Sequence, residues 1–132
     1  MKIYLDACYI IYLLEGSGEF QNKAKLTLLK YSDEKPIVYS SLLSKLECLI
    51  KPMRESHSET IEIYRKFFST RGFEFIPISE EIIDSATSIR GKYNFKTPDA
   101  IHLVSAITIG ADIFLTGDEK LKLCHEVNIE SF

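Results

Sequence analysis

Apolar residues recur along this chain in two rhythms, as short continuous runs and as longer stretches spaced three and four residues apart. The short runs predict strands at Lys2–Leu5, Ile37–Ser40, Phe73–Ile78, Asp112–Thr116 and Val127–Glu130, because a parallel strand covered on both faces is apolar throughout. The spaced stretches predict helices at Tyr9–Glu15, stopped by Gly16, and at Phe20–Tyr31, before Pro36 resets the chain. Further helices are expected at Ser41–Met53 with Ser40 or Ser41 as N-cap, and at His57–Thr70, ended near Gly72. Ser79–Tyr93 opens on a capping-type signal, Thr97–Ile109 is closed by Gly110, and Glu119–Cys124 reads as a short helix.

Strands alternating with helices predict an α/β fold, a three-layer α/β/α sandwich with a central parallel sheet of about four to five strands. No repeat, low-complexity tract or linker interrupts it, and 132 residues suit a single domain spanning 1–132. A chain of this length buries roughly two-thirds of its unfolded surface, so no disulfide is needed to hold the core. In such sheets the site lies at the carboxyl ends of the strands, where strand order reverses. Polar residues at strand ends are therefore the ones to weigh.

Composition narrows the class. Hydrophobic residues make up 45% and charged residues 27%, as in ordinary soluble proteins. The net charge of −3 argues weakly against a phosphate-binding surface, though acids clustered at a metal site lower the total without making the rest acidic. Cysteines at 8, 48 and 124 indicate neither a disulfide framework nor a zinc site, and a reducing, cytoplasmic setting is expected. No leader is expected, because Asp6 interrupts the start; the run Cys8 to Leu14 is far too short to span a bilayer.

Four acids stand out, each with an ordinary explanation beside it. Asp6 directly follows the first strand and would serve as N-cap of the next helix. Asp118 follows the strand ending Phe-Leu-Thr through a turn at Gly117 and would cap the last helix, while Thr116 could aim a hydroxyl at the same point. Thr97 reads as N-cap and Pro98 as first residue of a helix that keeps Asp99 in its first turn, favoured by the helix dipole. The apolar run after Asp99 (Ala100, Ile101, Leu103, Val104, Ala106, Ile107) draws that helix into the core. Glu47 has Leu43, Leu46 and Ile50 as near neighbours, with Lys45 and Lys51 further round; it either faces the core with a partner or sits at the stripe's edge and reaches solvent. If the first and fourth strands are neighbours, all four converge. Converging carboxylates repel unless a cation holds them, and Mg²⁺ or Mn²⁺ suits oxygen ligands.

Around them, His102 lies three residues after Asp99, and a packed histidine is the expectation. His57 and His125 lack supporting spacing, and Cys8 and Cys48 read as small buried apolar residues. Arg90, Lys92 and Lys96, with Lys45 and Lys120, could contact phosphates around the pocket or form a solvated charged face. Ile61, Tyr64, Phe67 and Phe68 are explained mostly by core packing, with any surplus available to a partner.

Ile3-Tyr4-Leu5-Asp6, the helix Ser41-Leu-Leu-Ser-Lys-Leu-Glu47, Lys96-Thr-Pro-Asp99-Ala-Ile-His-Leu-Val-Ser-Ala106 and Phe114-Leu-Thr-Gly-Asp118 together resemble the ordered motifs of PIN domains, particularly the small bacterial and archaeal VapC-type toxins. The resemblance implies a Rossmann-like sheet, an Mg²⁺ or Mn²⁺ site and endoribonuclease activity through metal-activated water. It assigns Asp6, Glu47, Asp99 and Asp118 to the acidic pocket, and Thr116 to the accompanying hydroxyl. It also implies an RNA substrate, a cognate antitoxin encoded beside the gene, and a homodimer. A non-catalytic PIN-fold module acting through a protein partner is the alternative. A haloacid-dehalogenase-type phosphatase would need an Asp at position 8, which is Cys, and the paired acids and late Lys of a receiver domain are not found. DNA cleavage stays chemically open, because metal-assisted attack does not require the 2′-OH.

Overall fold

Ile3, Tyr4 and Leu5 have no exposed surface, and that double burial marks the centre of the sheet. The computed structural model describes residues 1–132. Strands β1 (Lys2–Leu5), β2 (Ile37–Ser41), β3 (Phe73–Ile76), β4 (Ile113–Thr116) and β5 (Ile129–Ser131) form one sheet in the order β3-β2-β1-β4-β5. Every pairing is parallel, with Leu5 beside Leu115 and Tyr4 beside Tyr39.

Helices α1 (Ala7–Glu15), α2 (Gly18–Leu29), α3 (Leu43–Arg54) and α4 (Ser58–Phe68) cover one face; α5 (Glu80–Lys92) and α6 (Thr97–Thr108) cover the other. The period-two alternation of strands divides the core accordingly. Ile3, Leu5, Ile113 and Leu115 pack with Tyr9, Ile10, Leu13, Leu49 and Tyr64. Tyr4 and Phe114 pack with Ile82, Ile89, Ile101, Leu103 and Val104 on the opposite side. The expected three-layer α/β/α sandwich is thus the fold found, with five strands.

Several boundaries move, for local reasons. β3 stops at Ile76 because Pro77 has no N–H for the ladder. β2 runs on to Ser41, which pairs with Ile76, so α3 begins at Leu43 with Leu42 at the cap position instead of Ser40 or Ser41. The Ser41 hydroxyl still accepts the Leu43 N–H at 3.1 Å. α1 starts two residues early because Asp6 caps it. Thr97 proves to be inside α6, with Lys96 at the cap; its hydroxyl instead accepts from the Arg90 guanidinium at 3.1 Å. The last helix is a 3₁₀ turn, Glu119–Leu123. No helix is long and apolar enough to cross a membrane.

The apolar excess also falls elsewhere than the sequence suggested. On α4, Tyr64 is buried, and Phe67 and Phe68 pack at a tilt against Phe73 and Phe75 with ring centroids 5.1 and 4.8 Å apart, which absorbs that stripe into the sheet edge. On α3, Leu42, Leu46, Ile50 and Met53 remain exposed. Leu46 and Ile50 therefore do not define a core-facing side for Glu47, which lies between them and the buried Ser44 and Cys48.

Gly16 closes α1 by donating to the Tyr12 carbonyl at 3.0 Å, and a Cβ there would stand 2.2 Å from that same oxygen. Gly16→Ala is expected to lower stability by about 1–3 kcal/mol. A urea midpoint equal to wild type would show that the turn yields without cost.

Candidate active site

The chain winds outward from β1 through β2 to β3, then crosses back to β4, so strand order reverses between the neighbours β1 and β4. Asp6 leaves the end of β1, Thr116 is the last residue of β4, and Asp118 follows two residues later. A hydrogen-bonded chain joins them. The Asp118 N–H donates to Thr116 Oγ1 at 3.0 Å, and the Thr116 hydroxyl donates to Asp6 Oδ2 at 2.5 Å. Asp6 Oδ1 accepts the Tyr9 N–H at 2.8 Å, and Asp118 Oδ1 accepts the Lys120 N–H at 2.9 Å. Gly117 sits where the backbone passes over α1: a Cβ would lie 2.9 Å from the Tyr12 ring and 3.1 Å from Cys8 Sγ.

Asp99, half-buried, occupies the first turn of α6, whose next seven residues are all buried. Glu47 comes from the opposite layer, on α3. Its side chain is 28% exposed, and Oε1 lies 2.7 Å from Nε2 of His102, which is 3% exposed. His102 Nδ1 lies 2.7 Å from the Tyr4 hydroxyl. Sequence reasoning anticipated a packed histidine at 102 but missed that it bridges Tyr4 and Glu47. The available signal was the three-residue offset from Asp99, which puts both on one helix face.

These acids sit in one another's fields. Burial pushes the Asp6 carboxyl up to about 6, against the Thr116 hydrogen bond, His102 and the Tyr9 amide, with Asp99 raising it further. Asp99 is raised by burial first, then by Asp118 and Glu47, while His102 and Lys96 oppose. The acids do not close into a ready-made coordination shell, since no three His, Cys, Asp or Glu side chains are gathered to hold one ion. Their chemistry nonetheless fits a hard divalent cation. The donors are all carboxylate oxygens, partly desolvated and mutually destabilised, and a positive charge among them would relieve that repulsion. Asp6, Asp99, Asp118 and Glu47 are the residues that would hold it.

The basic candidates separate. Lys96 lies close enough to lower the Asp99 carboxyl. Lys120 lends its backbone amide to Asp118. Lys45 stands on the exposed apolar stripe of α3, with Leu42 and Leu46. Arg90 is committed to the Phe95 carbonyl at 2.9 Å and to Thr97, clamping the loop into α6, and Lys92 turns to Glu126 at 3.6 Å. Lys51 was not anticipated; with Glu47, Tyr12, Glu15 and Phe20 it lines a cleft of about 340 Å³ between α1, α2 and α3. Cys48 is buried as expected. Cys8 is exposed instead, although its thiol lies against the Gly117 backbone; that thiol is pushed up to about 11 by desolvation, then by Asp6, with Asp118 and Asp99 adding to it.

A family model for the PIN domain matches residues 3–124. Among solved structures, the chain is similar to VapBC2 from Rickettsia felis bound to a DNA fragment from their promoter, with a TM-score of 0.78 at 15% identity, covering 99% of this chain and 98% of that one. It is similar to a toxin–antitoxin complex from Klebsiella pneumoniae, with a TM-score of 0.68 at 22% identity, covering 95% and 94%. It is also similar to Mycobacterium tuberculosis VapC20, a sarcin–ricin loop cleaving toxin, with a TM-score of 0.73 at 14% identity, covering 96% and 98%. No curated protein sequence gives a significant match.

Folded Asp6 holds its proton more tightly than unfolded Asp does, so its contribution to stability is fully present below about pH 4 and is lost as pH rises through about 6. The loss is on the order of 3 kcal/mol by pH 7. Asp6→Asn keeps an acceptor for Tyr9 and removes the charge. In EDTA, the variant is expected to gain on wild type as pH rises from 4 to 7 and to run parallel above that. Urea midpoints across this range check it, and a pH-independent difference would contradict the assigned shift.

Proposed function

The chain belongs to the PIN-domain family, and from that premise we propose that it is a metal-dependent endoribonuclease, the toxin of a type II toxin–antitoxin pair, acting in the cytoplasm as one PIN-like domain over residues 1–132. The observation that carries this reading is that Asp6 and Asp118, linked through Thr116 at the reversal between β1 and β4, share an electrostatic field with Asp99, with Glu47 reaching it from the other layer. Proteins of the same fold include two toxin–antitoxin complexes and a toxin that cleaves the sarcin–ricin loop, which supports both the RNA substrate and the antitoxin partner.

In this reading Asp6, Asp99 and Asp118 would hold Mg²⁺ or Mn²⁺, and Glu47 would complete the set or orient the attacking water. Such an ion would provide activation of water and charge neutralisation at the scissile phosphate. Thr116 fixes the rotamer of Asp6 by donating to Oδ2, and the Asp118 amide fixes Thr116 in turn. The wholly buried β1 and β4 residues beneath keep water from reaching Asp6 from behind. Lys96, beside Asp99, and Lys120, beside Asp118, are the basic residues best placed for phosphates, with Lys45 and Lys51 on α3. Leu42, Leu46, Ile50 and Met53 give α3 an open apolar stripe suited to a protein partner, either the antitoxin or a second copy.

The decisive assay is cleavage of labelled structured RNA and of matching DNA by antitoxin-free protein in Mg²⁺, Mn²⁺ or EDTA. Wild type is expected to cut RNA only, and cutting is expected to vanish in EDTA and in Asp99→Asn. Well-folded, metal-loaded protein that cuts nothing would favour the non-catalytic binding module.

A further inference from the structure

The bond between His102 and Glu47 is the end of a longer chain, and every link in it has a direction. The Ser41 backbone N–H can only donate, and it points at the Tyr4 hydroxyl at 3.0 Å. Tyr4 has no exposed surface, and a phenol keeps its proton at neutral pH. With its oxygen accepting from Ser41, that proton is free to go to His102 Nδ1, 2.7 Å away. In the neutral ring, Nδ1 as acceptor leaves the other proton on Nε2, which faces Glu47 Oε1 at 2.7 Å.

We propose that His102 is a positioning residue: by holding Oε1 it fixes Glu47 in one rotamer and turns Oε2, the oxygen without a protein partner, to the active site. The proposal rests on the nuclease reading above only for what Glu47 then does. The ring cannot swing away: it is 3% exposed, bonded at both nitrogens, and packed edge-on against Tyr4, which itself stacks on Phe114 at 5.0 Å. Glu47 is 28% exposed, and a side chain on such a helix surface would otherwise sample several rotamers and offer a cation both oxygens. With Oε1 held by a charge-assisted hydrogen bond, one rotamer is favoured, and Oε2 is the oxygen left without a protein partner. His102 also stands within the fields of Asp6 and Asp99, so the same ring that aims Glu47 borders the other acids. Outer partners of this kind change metal affinity or activity about 10- to 100-fold when removed.

Three measurements test this. Long-range ¹H–¹⁵N correlation spectra of the metal-free protein are expected to place the ring proton of His102 on Nε2; a proton on Nδ1 overturns the proposal whatever the protein cleaves. Calorimetric titration with Mn²⁺ is expected to show affinity about 10- to 100-fold weaker in His102→Leu. Most of the loss should return in His102→Gln, whose carboxamide N–H can stand near the Nε2 position. A folded His102→Leu that binds Mn²⁺ as wild type does overturns it. If His102→Leu does not fold, a His102→Gln affinity reduced 10-fold or more overturns it equally. In RNA cleavage, His102→Leu should lower kcat while KM stays near wild type. A wild type that binds Mn²⁺ but cuts no RNA removes the nuclease reading and leaves the spectra and the titration to decide this one; a wild type that binds no Mn²⁺ overturns both.

Discussion

Asp6 is a carboxylate 4% exposed at the mouth of a strand that is sealed on both faces, and the site is organised around that one desolvated charge. An isolated buried carboxylate is costly enough to neutralise itself, which is the tendency its raised pKa records. Two local donors hold it in the meantime. The Tyr9 amide takes one oxygen and the Thr116 hydroxyl takes the other, so the side chain has a fixed orientation before any ligand arrives. Each oxygen still has lone-pair capacity, so holding the residue in place does not use up its donors.

The same device appears twice. Asp118 N–H to Thr116 to Asp6 is a chain that starts at a backbone amide beyond β4 and ends on a carboxylate. Ser41 N–H to Tyr4 to His102 to Glu47 is a chain that starts at the end of β2 and ends on another. A backbone amide has no second role to adopt, so a hydroxyl that accepts from it is left with its own proton to give. Rigid sheet ends thereby decide which way side-chain hydrogens point, and the carboxylates receive them. This ties the accuracy of the site to the register of the sheet. Leu5 beside Leu115 brings Asp6 level with Thr116, and a one-residue slip of one strand against the other would set them on different faces.

The strands and helices were legible because their periodicities are strong and the parallel strands are apolar throughout. The four acids were legible as a set only through their motifs, since each alone passes for a cap. Glu47 shows the limit most clearly. Its apolar neighbours left a core-facing acid and one at the stripe's edge both open; Leu46 and Ile50 are exposed, and what holds Glu47 is His102 from the other layer. No pattern along α3 encodes a contact 55 residues away on α6. Gly117 was legible as a turn residue, but its geometric reason is the proximity of the Tyr12 ring and Cys8, which only the packed fold reveals. Thr97 and the serines before α3 looked like caps and were recruited elsewhere, by Arg90 and by the β2–β3 ladder.

The ambiguity between cap and ligand has a physical root. Asp6 caps α1, Asp99 sits in the first turn of α6, and Asp118 caps the turn that follows β4. Unsatisfied amides at such positions favour negative charge, and this fold brings them together where β1 and β4 end. Local rules that place an acid at each element start therefore also soften the repulsion among the acids once they converge. An N-cap uses one oxygen of its carboxylate toward the backbone. In Asp118 the bond to Lys120 engages Oδ1, and Oδ2 is not needed by the cap. The residues that begin these helices thus keep carboxylate oxygens beyond those their capping uses, so folding does not consume the donors that the proposed cation site would need.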